Sequence, residues 1–367
     1  MKVLHALRTG GAAYGVERTV LSMLPDLAKQ GVDVHALVVV ETRANRTAGA
    51  VPTLLREAGC EVDVLGTSTR FPLAVMRKLG EICRREGIDI VHTHGYKCDF
   101  ASVLSRVRVP KVTTVHGWCS RTSRERFYEW LGVQCQKRMD VVFALCEDYR
   151  ERLLRRGVPD RLIRVALAGI DPGRVPSSGR DYRAKWRAGS DDVLAVQIGR
   201  LSSEKGPSLF VEVAKRVAER VPQAKFLLVG DGPMTTWLQS DPAVRSGLVT
   251  LTGYVEDVRD VFRAADVVVN CSTTEGLPGA LLEAGAASRP VVATDVGGVS
   301  AIINHDVTGL LCPSGDADAL TDALGRLMQD KPLRETMGAA ARAHIDSVFN
   351  TAACARRLVE VYESLLA

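Results

Sequence analysis

Two carboxylates bracket the segment Glu275-Gly-Leu-Pro-Gly-Ala-Leu-Leu-Glu283, which follows an apolar run. Gly276 and Gly279 allow the backbone to approach a ligand closely, and Pro278 suits the first turn of a helix. The free amides of that turn, together with the helix dipole, would attract a diphosphate. Glu275 would then accept hydrogen bonds from sugar hydroxyls. A buried Glu283 carboxylate would be destabilising without a hydrogen-bond partner, and the hydroxyls of a ribose could be that partner. The alternative is a helix cap with a buried salt bridge.

A second segment, Gly199-Arg-Leu-Ser-Ser-Glu-Lys-Gly206, places two cations directly after the apolar run 193–198. If that run is a strand, Arg200 and Lys205 lie in a loop at the carboxyl edge of a sheet. Two fixed cations there could neutralise the charge that develops on a departing diphosphate. A divalent metal ion supplies this counter-charge in many enzymes that act on diphosphates. The alternative is a solvated basic loop.

Glycine turns follow three further apolar runs. Gly230 and Tyr254 stand just after two runs in the second half and would border a nucleotide, or they form ordinary turns. Gly10 and Gly11 follow the first run and could reach phosphate from the other half of the chain. This segment is not a G-x-G-x-x-G fingerprint. A nicotinamide site using Glu41 is therefore a weaker interpretation, and it leaves the second-half segments without a role.

His116 closes the run 111–115 and could hydrogen-bond a donor-sugar hydroxyl, although a lone histidine is more often structural. His92 and His94 suit structural or acceptor-side roles. Basic and aromatic residues alternate between positions 118 and 138, which suits an anionic membrane interface or a lipid diphosphate. A nucleic-acid surface or an ordinary amphipathic helix uses the same residues. The acceptor-side candidates are Tyr14, His94, Trp118, Arg121 and Arg124.

Uniformly apolar runs alternate with helical periodicity along the whole chain, which predicts buried parallel strands and crossover helices. The strand predictions are 3–7, 34–40, 88–92, 111–115, 141–145, 193–198, 225–229, 249–251, 267–270, 290–293 and 310–312. Helices are predicted at 16–29, at 207–220 and after Phe349. A proline-, serine- and glycine-containing stretch at 169–189 interrupts the pattern and predicts a linker. We expect two doubly wound domains, with a ligand in the cleft between them.

The length and composition fit a globular protein of two domains rather than a disordered or membrane-spanning chain. Basic residues exceed acidic ones over residues 1–175, and the balance reverses afterwards, so an anionic acceptor or membrane surface would meet the first half. Nine cysteines include no C-x-x-C pair and no metal-ligand spacing, which predicts reduced thiols and no metal site. Without a signal peptide or apolar span, we expect a cytoplasmic protein, associated at most with the inner face of a membrane.

The order and spacing of these segments resemble the retaining glycosyltransferases of the GT-B fold, specifically glycosyltransferase family 4. The similarity covers nearly the whole chain and adds the segments Pro290-Val-Val-Ala-Thr-Asp-Val-Gly-Gly298 and Thr308-Gly-Leu-Leu311 to those above. Cys271 stands where the family has a proline, but Ser272 is retained. The resemblance implies an acceptor-binding domain at 1–172, a nucleotide-sugar-binding domain at 173–348 and a terminal helix at 349–367 that crosses back.

The resemblance also implies roles. Arg200 and Lys205 would hold the diphosphate, Glu275 the transferred sugar, Glu283 the ribose, and His116 the donor sugar near its anomeric carbon. Further donor contacts would come from Gly10, Gly11, Gly230, Tyr254, Gly276, Leu277, Pro278 and Gly279. Transfer would retain the anomeric configuration and need no metal or cofactor. The co-substrate would be a UDP- or GDP-linked hexose, in the synthesis of cell-surface polysaccharides or glycoconjugates.

Two alternatives remain open at this point. A nucleotide-sugar 2-epimerase shares the fold and the donor, and would form an epimer without any acceptor. A non-catalytic nucleotide-sugar binder is the second, and the intact set of charged residues argues against it. The base, the hexose, the acceptor and the oligomeric state are not determined by these residues.

Overall fold

The structure, a computed structural model, describes residues 1–9, 16–41, 49–67, 73–117, 123–166, 169–171, 182–186 and 188–367, without the side chains at 18, 41, 124, 125 and 182. The chain forms two compact units. The N-terminal unit comprises Met1–Gly169 and Thr351–Ala367, and the C-terminal unit comprises Ile170–Asn350. The borders predicted at 172 and 349 lie beside these divisions.

The described strands of the N-terminal unit form one parallel sheet of order β3-β2-β1-β4-β5-β6-β7. Its strands are β1 Lys2–Thr9, β2 Asp33–Glu41, β3 Glu61–Thr67, β4 Ile90–His94, β5 Lys111–Val115, β6 Val141–Ala144 and β7 Ile163–Val165. Its helices before the crossover to the second unit are α1 Val16–Lys29, α2 Val51–Glu57, α3 Leu73–Glu86, α4 Tyr96–Leu104, α5 Ser123–Gln136 and α6 Glu147–Arg155.

The C-terminal unit repeats this strand order in a parallel sheet β10-β9-β8-β11-β12-β13. Its strands are β8 Val193–Ile198, β9 Ala224–Val229, β10 Val249–Gly253, β11 Val267–Asn270, β12 Val291–Thr294 and β13 Gly309–Cys312. Its helices are α7 Tyr182–Lys185, α8 Pro207–Ala218, α9 Thr235–Ser240, α10 Pro242–Arg245, α11 Arg259–Ala264, α12 Gly279–Ala286, α13 Val299–Ile302, α14 Ala317–Gln329 and α15 Lys331–Val348.

The last helix, α16 (Thr351–Leu366), belongs to the N-terminal unit and packs on α1. It buries Leu358 and Tyr362 in the same apolar cluster as Leu24 and Leu27 of α1. The helical periodicity after Phe349 is thereby confirmed. The apolar stripe is the reason that the chain end folds against the first sheet.

The predicted elements agree closely with the structure wherever an apolar run is continuous. Strand β3 was not predicted, because Glu61 and Asp63 interrupt its apolar residues at the edge of the sheet. Helix α7 lies inside the predicted linker, and the strand predicted at 88–92 runs instead over Ile90–His94, so that it includes both histidines. The eight described cysteines are buried free thiols. Among the described helices, none has the length and apolar character needed to cross a bilayer.

Each sheet reverses its winding direction once, between β1 and β4 in the N-terminal unit and between β8 and β11 in the C-terminal unit. Doubly wound sheets open a crevice at that point, outside the carboxyl ends of the strands. The residues at these two switch points are therefore the first place to look for a site in each unit.

Candidate functional site

The switch point of the C-terminal unit contains an ion pair. Lys205 ends a 3₁₀ turn, Ser203–Lys205, after β8, and Glu275 lies in the loop after β11. The Lys205 Nζ atom is 2.7 Å from both carboxylate oxygens of Glu275. The Glu275 side chain is only 6% exposed, whereas that of Lys205 is 32% exposed. The pair therefore presents its cationic side to solvent.

The Glu275 carboxylate is held by its own loop. The Ser272 hydroxyl donates to Oε1 at 2.6 Å, and the Asn270 side-chain amide donates to the same oxygen at 3.2 Å. Thr294 donates its hydroxyl to the Ser272 carbonyl at 2.5 Å, which fixes that residue to β12. Oε1 thus receives three donors, and Oε2 receives Lys205 alone among the described residues. The carboxylate keeps acceptor capacity on Oε2.

Gln197 connects the two loops of this site. Its side-chain amide donates to the Lys205 carbonyl at 2.9 Å, and its carbonyl oxygen accepts from the Cys271 amide at 3.3 Å. Neither Gln197 nor Asn270 was predicted from the sequence as a site residue. The available signal was that each is a polar residue in a buried apolar strand, where an unbonded side chain is costly.

Two glycines allow these loops to come together. A Cβ atom at Gly206 would lie 2.0 Å from the Cys271 carbonyl oxygen, and one at Gly297 would lie 2.0 Å from the Glu275 carbonyl oxygen. Both glycines also have left-handed backbone angles, with φ of 62° and 58°. Any side chain would therefore displace the loop that contains Glu275.

Helix α12 begins directly after this loop. Pro278 is its extended N-terminal flanking residue, and no side chain among the described residues caps the first turn. Gly279 is exposed, while Gly276 and Leu277 are half-buried. The Gly276 carbonyl accepts from the Gly298 amide at 2.8 Å. The N-terminus of α12 therefore offers backbone amides and a positive dipole end beside the ion pair, which is a suitable environment for an anion.

The remaining donor-side candidates lie around the ends of β8, β9 and β10. The Arg200 side chain is exposed. Gly230 donates its amide to the Gly253 carbonyl at 2.9 Å, and a Cβ on it would lie 2.0 Å from the Gly199 carbonyl oxygen, so the three turns contact one another. Tyr254 is 59% exposed and is available for stacking.

Glu283 is half-buried on α12. Its charge acts on Arg259, whose pKa is raised chiefly by the hydrogen bond to Asp257 and additionally by the nearby acidic groups, Glu283 among them. The structure therefore gives Glu283 an electrostatic neighbour within the unit. Its predicted role at a ribose stays a prediction.

The switch point of the N-terminal unit contains histidines from three neighbouring strand regions. His5 Nδ1 is 3.1 Å from His94 Nε2, and His94 Nδ1 is 3.0 Å from His116 Nε2. Burial lowers the pKa of His5 and of His116 to about 4, and that of His94 well below its usual value. These imidazoles are therefore neutral at physiological pH. The structure brings His94 and His116 together with His5, which was not predicted from the sequence as a site residue.

His92 belongs to the same cluster but bonds elsewhere. Its Nδ1 is 2.5 Å from the Tyr362 hydroxyl on α16, and its Nε2 is 2.7 Å from the Thr114 hydroxyl. One nitrogen each of His5, His92 and His94 lie within 4.8 Å of one another, a separation at which a metal ion could bind. The spacing along the sequence predicted no such grouping, since strand pairing creates it. A second group of this kind, His35, Glu61 and Glu86, lies away from the switch point.

Several candidates lie outside the described residues: Gly10, Gly11, Tyr14, Trp118, Arg121 and the side chains of Glu41 and Arg124. Helix α5 begins directly after the undescribed residues 118–122, and it exposes Phe127 and Trp130, each to 56%. Their rings stack with centroids 5.9 Å apart. Neighbouring exposed apolar side chains of this kind occur at surfaces that contact other proteins or membranes.

Two doubly wound units in one chain, one with cations and a helix N-terminus at its switch point, are the architecture of the GT-B fold. Residues 13–174 match the family described as Glycosyltransferase Family 4, and residues 193–330 match Glycosyl transferases group 1. The chain belongs to this family of glycosyltransferases, as the sequence segments predicted.

Two relatives and one solved structure illustrate the similarity. A D-inositol 3-phosphate glycosyltransferase of Kribbella flavida is 30% identical over 75% of this chain and 70% of its own length. The UDP-Gal:alpha-D-GlcNAc-diphosphoundecaprenol alpha-1,3-galactosyltransferase of Escherichia coli is 27% identical over 85% of this chain and 82% of its own. The Anabaena HepE protein, crystallised with UDP, has a TM-score of 0.85 at 21% identity, over 99% of this chain and 100% of its own. These relatives include no epimerase, so that alternative gains no support.

Proposed function

We propose that this protein is a metal-independent, retaining hexosyltransferase that moves a sugar from a nucleotide diphosphate onto a lipid-linked or otherwise anionic glycan precursor. The observation that carries the proposal is the Lys205–Glu275 pair beside the uncapped start of α12. The pair provides a cation for a diphosphate and a carboxylate for a sugar. Both stand where a doubly wound sheet binds its ligand.

The donor would bind to the C-terminal unit through three kinds of contact. Its diphosphate would lie between the amides of α12 and the cations of Arg200 and Lys205. Tyr254 would border the base, and Glu283 would bond the ribose. UDP is the first nucleotide to test because the HepE protein binds it, and GDP is the alternative. Backbone at Gly230, Leu277 and Gly279 would complete the donor contacts.

In the transfer step, the acceptor oxygen would bond to the anomeric carbon as the bond from that carbon to the diphosphate breaks. The acceptor proton would pass to the departing phosphate oxygen, on the face from which the new bond forms. Negative charge would grow on the diphosphate, and Lys205 and Arg200 would stabilise it. Oε2 of Glu275, which has one donor among the described residues, would accept from a hydroxyl of the moving sugar. His116 would contact that sugar.

Metal independence follows from the same cations. Two positive side chains and a helix dipole supply the counter-charge that a divalent ion would otherwise bring to the diphosphate. Transfer should therefore persist after exhaustive treatment with EDTA. Loss of transfer that returns on adding Mg²⁺ or Mn²⁺ would contradict this part of the proposal.

The acceptor would be reached through the N-terminal unit. The E. coli relative is named for a diphosphoundecaprenol acceptor, and helix α5 exposes Phe127 and Trp130 beside the exposed Arg126. Aromatic and basic side chains together suit an anionic lipid surface. Vesicles of phosphatidylglycerol should bind the protein at low salt, and Trp130→Ala should weaken that binding. Trp237→Ala is the matched control, because Trp237 is 50% exposed on the other unit.

The decisive experiment combines binding and product analysis. Thermal shifts with UDP, GDP, ADP and their sugars should identify one donor, since a ligand of the native state raises the melting temperature. That donor and a candidate acceptor should then yield a glycoside whose anomeric coupling constant matches that of the donor. A product with the opposite anomeric configuration would contradict the retaining mechanism. Conversion of the sugar without any acceptor would favour a 2-epimerase.

A further inference from the structure

The histidines of the N-terminal switch point form a chain that leads from the sheet interior to His116. His5 on β1 lies directly opposite His92 on β4, and Leu7 lies opposite His94. His92 and His94 therefore share one face of the sheet, since side chains of a strand alternate. The planes of the His5 and His94 rings are 19° from parallel, and their centroids are 5.3 Å apart. The chain consists of His5, His94 and His116.

The direction in which the hydrogen bonds of this histidine chain are donated follows from one atom without a partner among the described residues. His5 Nε2 is buried and has no hydrogen-bond partner among the described residues. A neutral imidazole has one N–H and one acceptor nitrogen. If the chain pointed toward His5, that atom would be a buried N–H without an acceptor, which proteins tolerate less well than an unpaired acceptor. His5 therefore donates from Nδ1 to His94, and His94 donates from Nδ1 to His116.

We propose that His94 and His5 are positioning residues that hold His116 as the Nδ1–H tautomer, which makes its Nδ1 atom a hydrogen-bond donor for a sugar oxygen. His116 Nε2 accepts from His94, and His116 Nδ1 bonds none of the described residues. His116 is then a hydrogen-bond donor toward a sugar oxygen and is not a general base. This inference rests on the proposed function for the sugar contact, while the tautomer is independent of it.

A metal ion at His5, His92 and His94 is the competing interpretation of the same cluster. Both nitrogens of His92 already bond hydroxyls, and both nitrogens of His94 bond imidazoles. An ion would have to replace these bonds. It would also bring its charge among residues that are 0% to 4% exposed. The hydrogen-bonded chain satisfies the same nitrogens at lower cost.

Long-range ¹H–¹⁵N spectra of the ligand-free protein, labelled at its seven histidines, would test the tautomer directly. We expect His5, His94 and His116 to carry their proton on Nδ1 at about pH 7.5. His94→Asn keeps an amide donor near the Nδ1 position and should preserve the His116 tautomer. His94→Val removes the donor and should mix the two tautomers of His116.

Kinetics with the donor identified above would test the consequence. His94→Val should lower kcat by about tenfold or less, because part of His116 would carry its proton on Nε2 and its ring would no longer be held in place, with a smaller change in KM for the donor. His94→Asn should recover most of that loss. His92→Asn is the matched control, because His92 is equally buried in the same strand but is not part of the chain.

A proton on His116 Nε2 in the native protein, an unchanged His116 tautomer in His94→Val, or a stoichiometric metal ion in the purified protein would each overturn the proposal. A mixed tautomer in His94→Val without any loss of kcat would refute the positioning role. If no donor supports transfer, the proposed function fails, and the spectra still decide the direction of the chain.

Discussion

The two switch points occupy the same place in the same strand order, yet their chemistry is opposite. The C-terminal unit places a charged pair there, Lys205 with Glu275, beside a helix N-terminus. The N-terminal unit places neutral imidazoles there, held to one another and to Tyr362. Topology therefore determines where a site forms, and the side chains at the strand ends determine what it can bind.

Burial explains the difference. About a third of the Lys205 side chain is exposed to solvent, so its charge remains partly hydrated and the desolvation penalty is small. His5 and His92 are fully buried in the sheet, and desolvation there favours the neutral ring. A diphosphate requires the first environment. A neutral hydrogen-bond donor toward a sugar requires the second.

The largest effect should come from removing the cation of the C-terminal switch point. Lys205→Ala should lower kcat by on the order of a hundredfold, because in the proposed mechanism Lys205 stabilises the charge that grows on the leaving diphosphate. Steady-state kinetics would measure this. Lys215→Ala is the control, since Lys215 pairs with Asp241 at 3.0 Å on the same unit, away from the switch point. Equal activity of the two variants would remove Lys205 from the mechanism.

Replacing a glycine at the same switch point should have a nearly equal effect, in this case on the stability of the fold. Gly206→Ala would place a Cβ 2.0 Å from the Cys271 carbonyl oxygen, so we expect a loss of about 3 kcal/mol or more in the free energy of unfolding. Gly247→Ala is the matched control. Gly247 also has a positive φ, 81°, but nothing lies within 4 Å of its added Cβ. That variant should lose only about 1–2 kcal/mol in urea denaturation, and equal losses would disprove the contact argument.

The sequence predicted the C-terminal switch point better than the N-terminal one. Lys205 and Glu275 were identified because each lies within a short segment whose glycines and charges are adjacent along the chain. A buried salt bridge at the Glu275 segment was the alternative interpretation, but Lys205 was not predicted as its partner, since that pairing depends on how two loops meet. The histidine chain was missed because His5 and His94 are 89 positions apart and meet only through the pairing of β1 with β4. Local spacing contains no information about that pairing.

Acid should destabilise the folded protein through the buried histidines of the N-terminal switch point. The pKa of His5 and of His116 is lowered by burial to about 4, so the stabilisation from their neutral rings is complete above about pH 6.5 and is lost as the pH falls toward 4. Each such histidine should add up to about 1.4 kcal/mol per pH unit to the slope of the unfolding free energy. Urea denaturation across this range should give a shallower slope for His5→Asn. An unchanged slope would contradict the assignment of His5 as a buried neutral ring.

The smallest effect should come from the opposite face of β4, where Asp99 of α4 accepts hydrogen bonds from Thr93 at 2.6 Å and Thr113 at 2.8 Å. Burial raises the pKa of Asp99. Its carboxyl group therefore favours folding below its unfolded pKa, and that contribution is lost as the pH rises through the folded pKa. Asp99→Asn keeps both acceptor contacts without a charge, so we expect a change within about 1 kcal/mol at neutral pH, toward greater stability. Asp99→Leu removes the carboxyl acceptor of Thr93 and Thr113, whose hydroxyls keep only the longer contacts to backbone carbonyls at 3.3 and 3.2 Å, and should cost about 1–3 kcal/mol. Thermal denaturation of the two variants would compare them, and a larger loss for Asp99→Asn than for Asp99→Leu would mean that the ionised carboxylate is needed at this position.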